Sequence, residues 1–133
     1  MSYLGWSLVL GTLVATTSMA SEAVRPQFHF SPKKNWMNDP NGLVYYEGEY
    51  HLYFQWDPLG NDGRQKAWGH AVSTDLVHWT ELEPPILPDK MGDIWSGSAV
   101  VDWNNVTGFQ NGDEKTILAF YTAAGDPFTQ CIA

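Results

Sequence analysis

The fold is indicated by residues 39–56, which read DPNGLVYYEGEYHLYFQW. Gly42–Tyr46 and Tyr50–Trp56 are rich in β-branched and aromatic side chains, a composition typical of strands. The short acidic segment between them contains Gly48, and a glycine between two such runs favours a tight turn. We therefore predict an antiparallel hairpin with Gly48 in its turn.

Strand-like runs continue along the rest of the chain, and no apolar pattern at helical spacing lasts longer than two turns. Two further short strands would complete a four-stranded antiparallel unit: Gly69–Ser73 and His78–Leu82. The prolines at 84, 85 and 88 are expected to end the pairing, because proline donates no ladder hydrogen bond. A second unit would follow, with a long polar turn at Asn104–Lys115 and strands at Ile94–Asp102, Thr116–Thr122 and Thr129–Ala133.

The two units form a weak internal repeat. Asp39 leads into the first strand of the first unit, and Ser96 has the equivalent place in the second unit, 57 positions later. This spacing predicts an all-β propeller, in which the inner strand of each blade lines a central channel. Asp39 and Ser96 would then both point toward one axial pocket. A β-sandwich with strands at similar spacing is the structural alternative.

Composition excludes several classes of protein. The 133 residues carry 7 Lys+Arg against 15 Asp+Glu, a formal charge of −8, and the basic residues are scattered, so nucleic acid is not an expected partner. The single cysteine, Cys131, cannot close a disulfide within the chain. Seven Trp, six Tyr and six Phe can fill a core or form stacking platforms for ring-shaped ligands.

Residues 1–20 have the pattern of a secretory signal peptide. They form an uncharged, largely apolar run that ends in Ser18-Met19-Ala20, and Glu22 is the first charged side chain. We predict cleavage after Ala20 and a secreted, extracellular mature chain with no membrane partner. A membrane anchor is the alternative, but the run is shorter than the ~20 apolar residues that span a bilayer. Asn105 begins an Asn-Val-Thr sequon, so it is a predicted surface glycosylation site.

Four motifs occur in a fixed order: WMNDPNG at 36–42, FQWDP at 54–58, WGHA at 68–71 and WSGSA at 95–99. Together they resemble glycoside hydrolase family 32, the invertases, inulinases and levanases. The resemblance covers residues 28–133 and implies a five-bladed catalytic β-propeller, of which about the first two blades are present in 21–133. It also implies hydrolysis, with retention of configuration, of terminal β-fructofuranosidic bonds in sucrose or in fructans such as inulin and levan.

The resemblance assigns roles to five residues and implies neither a cofactor nor a metal. Asp39 is the implied nucleophile, and the terminal fructosyl ring is held by Asn38, Gln55, Trp95 and Ser96.

These residue types suit the chemistry on their own terms. Retaining hydrolysis needs an ionised carboxylate to attack the anomeric carbon, and Asp39 lies at a strand entrance where nearby amides can keep it ionised. Gln55 offers an amide for adjacent hydroxyls, Trp95 a flat apolar wall and Ser96 a hydroxyl. Without the resemblance, the segment around Asp39 is equally typical of an ordinary turn. The four histidines share no metal-ligand spacing, which favours structural roles.

Two departures from the family pattern are visible. Gly63 stands where the family usually carries a Trp that flanks the pocket, and Asp57 replaces a more common Asn. The family's stabilising Asp and acid/base Glu belong to Arg-Asp-Pro and Glu-Cys motifs, neither of which occurs in these residues. We therefore expect an N-terminal fragment that is inactive alone. The alternatives are a fructosyltransferase of the same fold, a non-catalytic fructan-binding propeller, and a secreted β-domain with no sugar site.

Overall fold

The computed structural model describes residues 25, 26 and 28–133, so the predicted signal peptide lies outside the described residues. Across that described part the regular structure consists of strands. They are β1 (Met37–Tyr46), β2 (Glu49–Trp56), β3 (Ala67–Ser73), β4 (Thr80–Ile86), β5 (Asp93–Val101), β6 (Ile117–Ala124) and β7 (Thr129–Ile132). The all-β class is confirmed. Within these described residues, no helix is long and apolar enough to cross a membrane.

The first sheet is antiparallel with strand order β1-β2-β3-β4, as predicted. Tyr46 pairs with Glu49, so the hairpin turn contains only Glu47 and Gly48. Their φ angles are 50° and 89°, and a two-residue type I′ turn requires positive values at both central positions. β1 begins at Met37 rather than at the predicted Gly42, because the residues around Asp39 pair with β2 through a bulge.

The fourth strand corrects two predictions. His78 lies in a turn outside β4, where the carboxylate of Asp75 accepts its backbone N–H at 2.7 Å and contacts its ring nitrogen at 2.7 Å. β4 then continues through Pro84 and Pro85 to Ile86, which pairs with β3. The prolines do not end the pairing because β4 is the edge strand of the described sheet and the register is irregular opposite them.

The second sheet has strand order β5-β6-β7 and follows the predicted bounds to within two residues. Asp102 lies just beyond β5 instead of inside it. Its carboxylate accepts the backbone N–H groups of Val106 and Thr107 at 2.8 and 3.0 Å, together with the Thr107 hydroxyl at 2.7 Å. These hydrogen bonds hold the pKa of Asp102 below its usual value and begin the long polar loop to β6.

The internal repeat is present in the backbone as well as in the sequence. In β1, one extra residue lies between the pairs Met37↔Trp56 and Pro40↔Phe54. In β5, one extra residue lies between Ile94↔Ala123 and Gly97↔Tyr121, at positions shifted by the same 57 residues. The two bulged strands contact each other, as the inner strands of neighbouring blades do.

Trp68 is the centre of the core between the two sheets. It is fully buried and clusters with Tyr53 from the first sheet and with Ile94 and Ala119 from the second. Phe54 belongs to a second apolar cluster. Gly69 lies so close to Phe54 that a Cβ added at Gly69 would be 2.4 Å from the Phe54 ring. The sheets are thereby held in one arrangement by large rings that fit against glycine and small side chains.

Candidate functional site

A cleft of about 410 Å³ opens where the two bulges meet, and this volume suits a small-molecule site. Each bulge sets two residues of one strand against one residue of its neighbour. The cleft is lined by the residues at the two bulges, by the residues opposite them and by one lysine: Asn38, Asp39, Gln55, Lys66, Trp95, Ser96 and Thr122. Other surface depressions, including one of about 440 Å³ beside Asn61, are lined by neither Asp39 nor Ser96.

Asp39 and Ser96 meet across the junction of the two sheets. The Ser96 hydroxyl donates a hydrogen bond to Oδ2 of Asp39 at 2.6 Å, a short distance typical of a hydroxyl bound to a carboxylate. Both residues are exposed to solvent, so the carboxylate is fixed in direction yet accessible to a ligand. The expectation that these two side chains face one pocket is confirmed.

Asparagines on either side of Asp39 hold the local backbone. The side-chain oxygen of Asn38 accepts the backbone N–H of Asp39, which fixes the bulge. Asn41 is buried, and its side-chain oxygen accepts the backbone N–H of Gly97 at 3.3 Å, next to Ser96. The NDPNG segment therefore acts as a connector between the sheets, not as the simple turn that its composition also suggested.

Gln55 and Trp95 reach the cleft from well-anchored positions. Gln55 is 3% exposed, and its amide nitrogen donates to the carbonyl of Ile94 at 2.7 Å, which leaves only part of the amide for a ligand. The carbonyl of Trp95 accepts the indole N–H of Trp68 at 3.1 Å. Trp95 itself is 42% exposed, and its ring meets the Phe128 ring edge-on at 5.0 Å. All five predicted site residues thus share one cleft, and their roles toward a sugar stay predictions.

Three residues near the cleft were missed at the level of sequence. Thr122 faces the second bulge as Gln55 faces the first, but unequal loop lengths hide this equivalence from a search at fixed spacing. Lys66 precedes β3, and Phe128 lies in the turn before β7. Nothing in the local sequence of these two loops distinguishes them from solvated loop residues.

The loop of residues 57–66 contains both positions that depart from the family pattern. Asp57 is buried, and its two carboxylate oxygens accept the backbone N–H groups of Leu59 and Arg64. Burial alone raises the pKa of this carboxyl, but hydrogen bonds from its own loop outweigh that effect and hold the pKa below its usual value. At Gly63, with φ of 65°, a Cβ would lie 2.9 Å from the ring of Trp36, so the space beside this position is already filled.

Two histidines of the first sheet, His51 on β2 and His70 on β3, are not among the residues that line the cleft. Nδ1 of His51 and Nε2 of His70 are 3.0 Å apart, and both rings stack with Tyr53. Burial, assisted by the charge of His51, lowers the pKa of His70 to about 4, so His70 is neutral at pH 7. Among the residues with described positions, no group of three or more His, Cys, Asp or Glu side chains has the geometry to hold a metal ion.

Comparisons with known proteins agree on one family. Residues 29–133 match the model of the glycosyl hydrolases family 32 N-terminal domain. The chain is 56% identical over 108 residues to a levanase of Bacillus subtilis, covering 81% of this chain and 16% of that protein. It is 48% identical over 104 residues to an extracellular exo-inulinase of Aspergillus awamori, covering 74% and 19%.

Solved structures give the same result. A β-fructofuranosidase from Schwanniomyces occidentalis, complexed with fructosyl-erythritol, superimposes with a TM-score of 0.76 at 47% identity, covering 82% of this chain and 23% of that one. The exo-inulinase from Aspergillus awamori superimposes with a TM-score of 0.68 at 48% identity, covering 72% and 20%. The chain thus spans about a fifth of the length of these relatives, and its two sheets correspond to the first blades of their propeller.

Proposed function

The chain belongs to glycosyl hydrolase family 32, and on that premise we propose that its protein is a secreted glycosidase that removes terminal fructosyl units from sucrose or fructans with retention of configuration. The observation that carries the proposal is the carboxylate of Asp39, aimed by Ser96 into an open cleft where two inner strands meet. A fixed, accessible carboxylate in a cleft of this size has the form of a glycosidase nucleophile.

In the proposed reaction, Asp39 attacks the anomeric carbon of the fructosyl unit. The bond to the leaving sugar breaks while a carboxylic acid protonates its oxygen, and a covalent fructosyl ester of Asp39 forms. Water then attacks the same carbon and gives a proton to the acid/base carboxylate, the ester bond to Asp39 breaks, and fructose is released with its original configuration. Asp39 is the only carboxylate among the residues that line the described cleft, so the acid/base group must come from outside this set.

The remaining lining residues would hold and orient the sugar. The Ser96 hydroxyl fixes the direction of the Asp39 carboxylate, and the exposed indole of Trp95 offers a flat face to the furanose ring. Asn38 and Gln55 have amide groups at the same cleft. Each amide already makes one hydrogen bond to the backbone, so both side chains are pre-organised before substrate binds. Such pre-organisation places the reacting carbon against Asp39 at low entropic cost.

Product analysis tests this function. The full-length protein is incubated with sucrose, inulin and levan, and its products are compared with those of the Asp39→Asn variant. Release of free fructose by the wild-type protein alone is the expected result. Longer oligosaccharides would identify a fructosyltransferase, and binding without any turnover would identify a fructan-binding protein; both would overturn the proposed hydrolysis.

Secretion is supported by the composition of residues 1–20 and by relatives named as extracellular exo-inulinases. We expect the mature protein to begin at Ser21. N-terminal sequencing of protein from the culture medium tests this expectation, and a product that still begins at Met1 would contradict it.

A further inference from the structure

Lys66 is the only cationic side chain that lines the described cleft, and none of the sequence motifs includes it. It shares the lining with Asp39 and Ser96, and its side chain is half-buried. A partly exposed lysine that lines the same cleft as this carboxylate is placed to contact a ligand that binds there.

The position of Lys66 is fixed at both its backbone and its side chain. Its carbonyl accepts the backbone N–H of Ile94 at 2.8 Å, which ties it to the second sheet. Its Nζ donates to the carbonyl of Gly63 at 2.7 Å and lies 5.4 Å from the centre of the Trp36 ring, within cation–π range. A lysine held this way loses less rotamer freedom on binding a ligand than a free surface lysine does.

Gly63 makes this arrangement possible. The Trp36 ring fills the space where a side chain at 63 would begin, and the ammonium of Lys66 lies over that ring. An ammonium has three N–H groups, and the Gly63 carbonyl takes one, which leaves donors for hydroxyl oxygens.

We propose that Lys66 is a substrate-binding residue of this cleft, whose ammonium donates a hydrogen bond to a hydroxyl of the bound fructoside and so determines substrate affinity. This assignment rests on the proposed function. The cleft of this protein therefore recognises its substrate through a polar donor, Lys66, that is held over the Trp36 ring, in place of an apolar wall at position 63.

Steady-state kinetics of the full-length protein on sucrose test the proposal. Lys66→Met keeps most of the length of the side chain and removes the hydrogen-bond donor, so KM should rise about tenfold while kcat stays within threefold. Lys66→Arg keeps a cationic donor, and its KM should stay within threefold of wild type. Lys90→Met, at an exposed position outside the cleft, is the control and should change neither constant.

The split between KM and kcat separates substrate contact from a merely structural role, because a distorted cleft would lower kcat and would not be rescued by arginine. The thermal midpoint of each variant is measured beside the kinetics, and Lys66→Gln serves as a second variant if Lys66→Met does not fold. If the wild type hydrolyses sucrose and the folded Lys66 variant keeps the wild-type KM, Lys66 makes no contact while the proposed function stands. If the wild type acts on no fructoside, the proposed function fails and this assignment fails with it.

Discussion

Replacing Trp68 with Phe should destabilise the protein by about 2–3 kcal/mol. Trp68 is fully buried between the two sheets, and its indole N–H donates to the Trp95 carbonyl at 3.1 Å. Loss of that partly buried hydrogen bond costs about 1 kcal/mol, because the Trp95 carbonyl loses its partner. The smaller ring also leaves a void against Tyr53 and Tyr121, which adds about 1–2 kcal/mol.

Chemical denaturation followed by circular dichroism measures this effect, with Trp103→Phe as the matched control. Trp103 is 58% exposed and meets Tyr46 only at a ring edge, so its replacement should change stability by less than about 0.5 kcal/mol. Because the Trp68 hydrogen bond also fixes the backbone next to Ser96, Trp68→Phe should lower kcat/KM on sucrose as well. Equal denaturation midpoints for the two variants would refute the view that Trp68 couples the sheets at the site.

Three further outcomes are expected. Gly69→Ala should lower stability by about 1–3 kcal/mol, because the new Cβ would lie 2.4 Å from the Phe54 ring; Gly60→Ala, with open space around it, is the control in the same denaturation assay. The lowered pKa of Asp57 contributes stability that is present above the pKa of an unfolded Asp, roughly 4, and is lost as pH falls through the lower folded value. The free energy of unfolding of each protein is measured at pH 5 and at pH 2. The decrease from pH 5 to pH 2 should be smaller for Asp57→Asn than for the wild type. In protein secreted from a eukaryotic host, the wild type should exceed its sequence mass by a glycan, and Asn105→Gln should remove that excess. Mass spectrometry that finds no glycan on the wild type would contradict the predicted glycosylation of Asn105.

Much of the fold could be predicted because alternation, turn residues and rings are local signals. The hairpin turn at Gly48 and the strand order of the first sheet follow from residues close in sequence. The path of β4 could not be predicted, since prolines are tolerated on an edge strand and only the sheet order shows which strand is the edge. The start of β1 was missed because a bulge lets residues with turn-type composition pair.

The site was predictable where the repeat and the motifs coincide. Asp39 and Ser96 were placed in one pocket from their spacing, and the bulges at equivalent positions give the physical reason. Lys66 could not be found in this way, because its place in the cleft depends on the Trp36 ring and the Gly63 carbonyl, contacts made within a loop without a repeat.

The central claim is that Asp39 is the nucleophile, and the turnover number of the full-length Asp39→Asn variant on sucrose tests it most directly. The amide keeps the shape of the carboxylate but cannot form the fructosyl ester, so the barrier should rise by several kcal/mol, at about 1.4 kcal/mol for each tenfold loss of rate. We expect nearly complete loss of turnover, with fructose binding still measurable by calorimetry. A folded variant that keeps more than about a tenth of the wild-type turnover, a barrier increase of less than about 1.4 kcal/mol, would show that another group attacks the sugar.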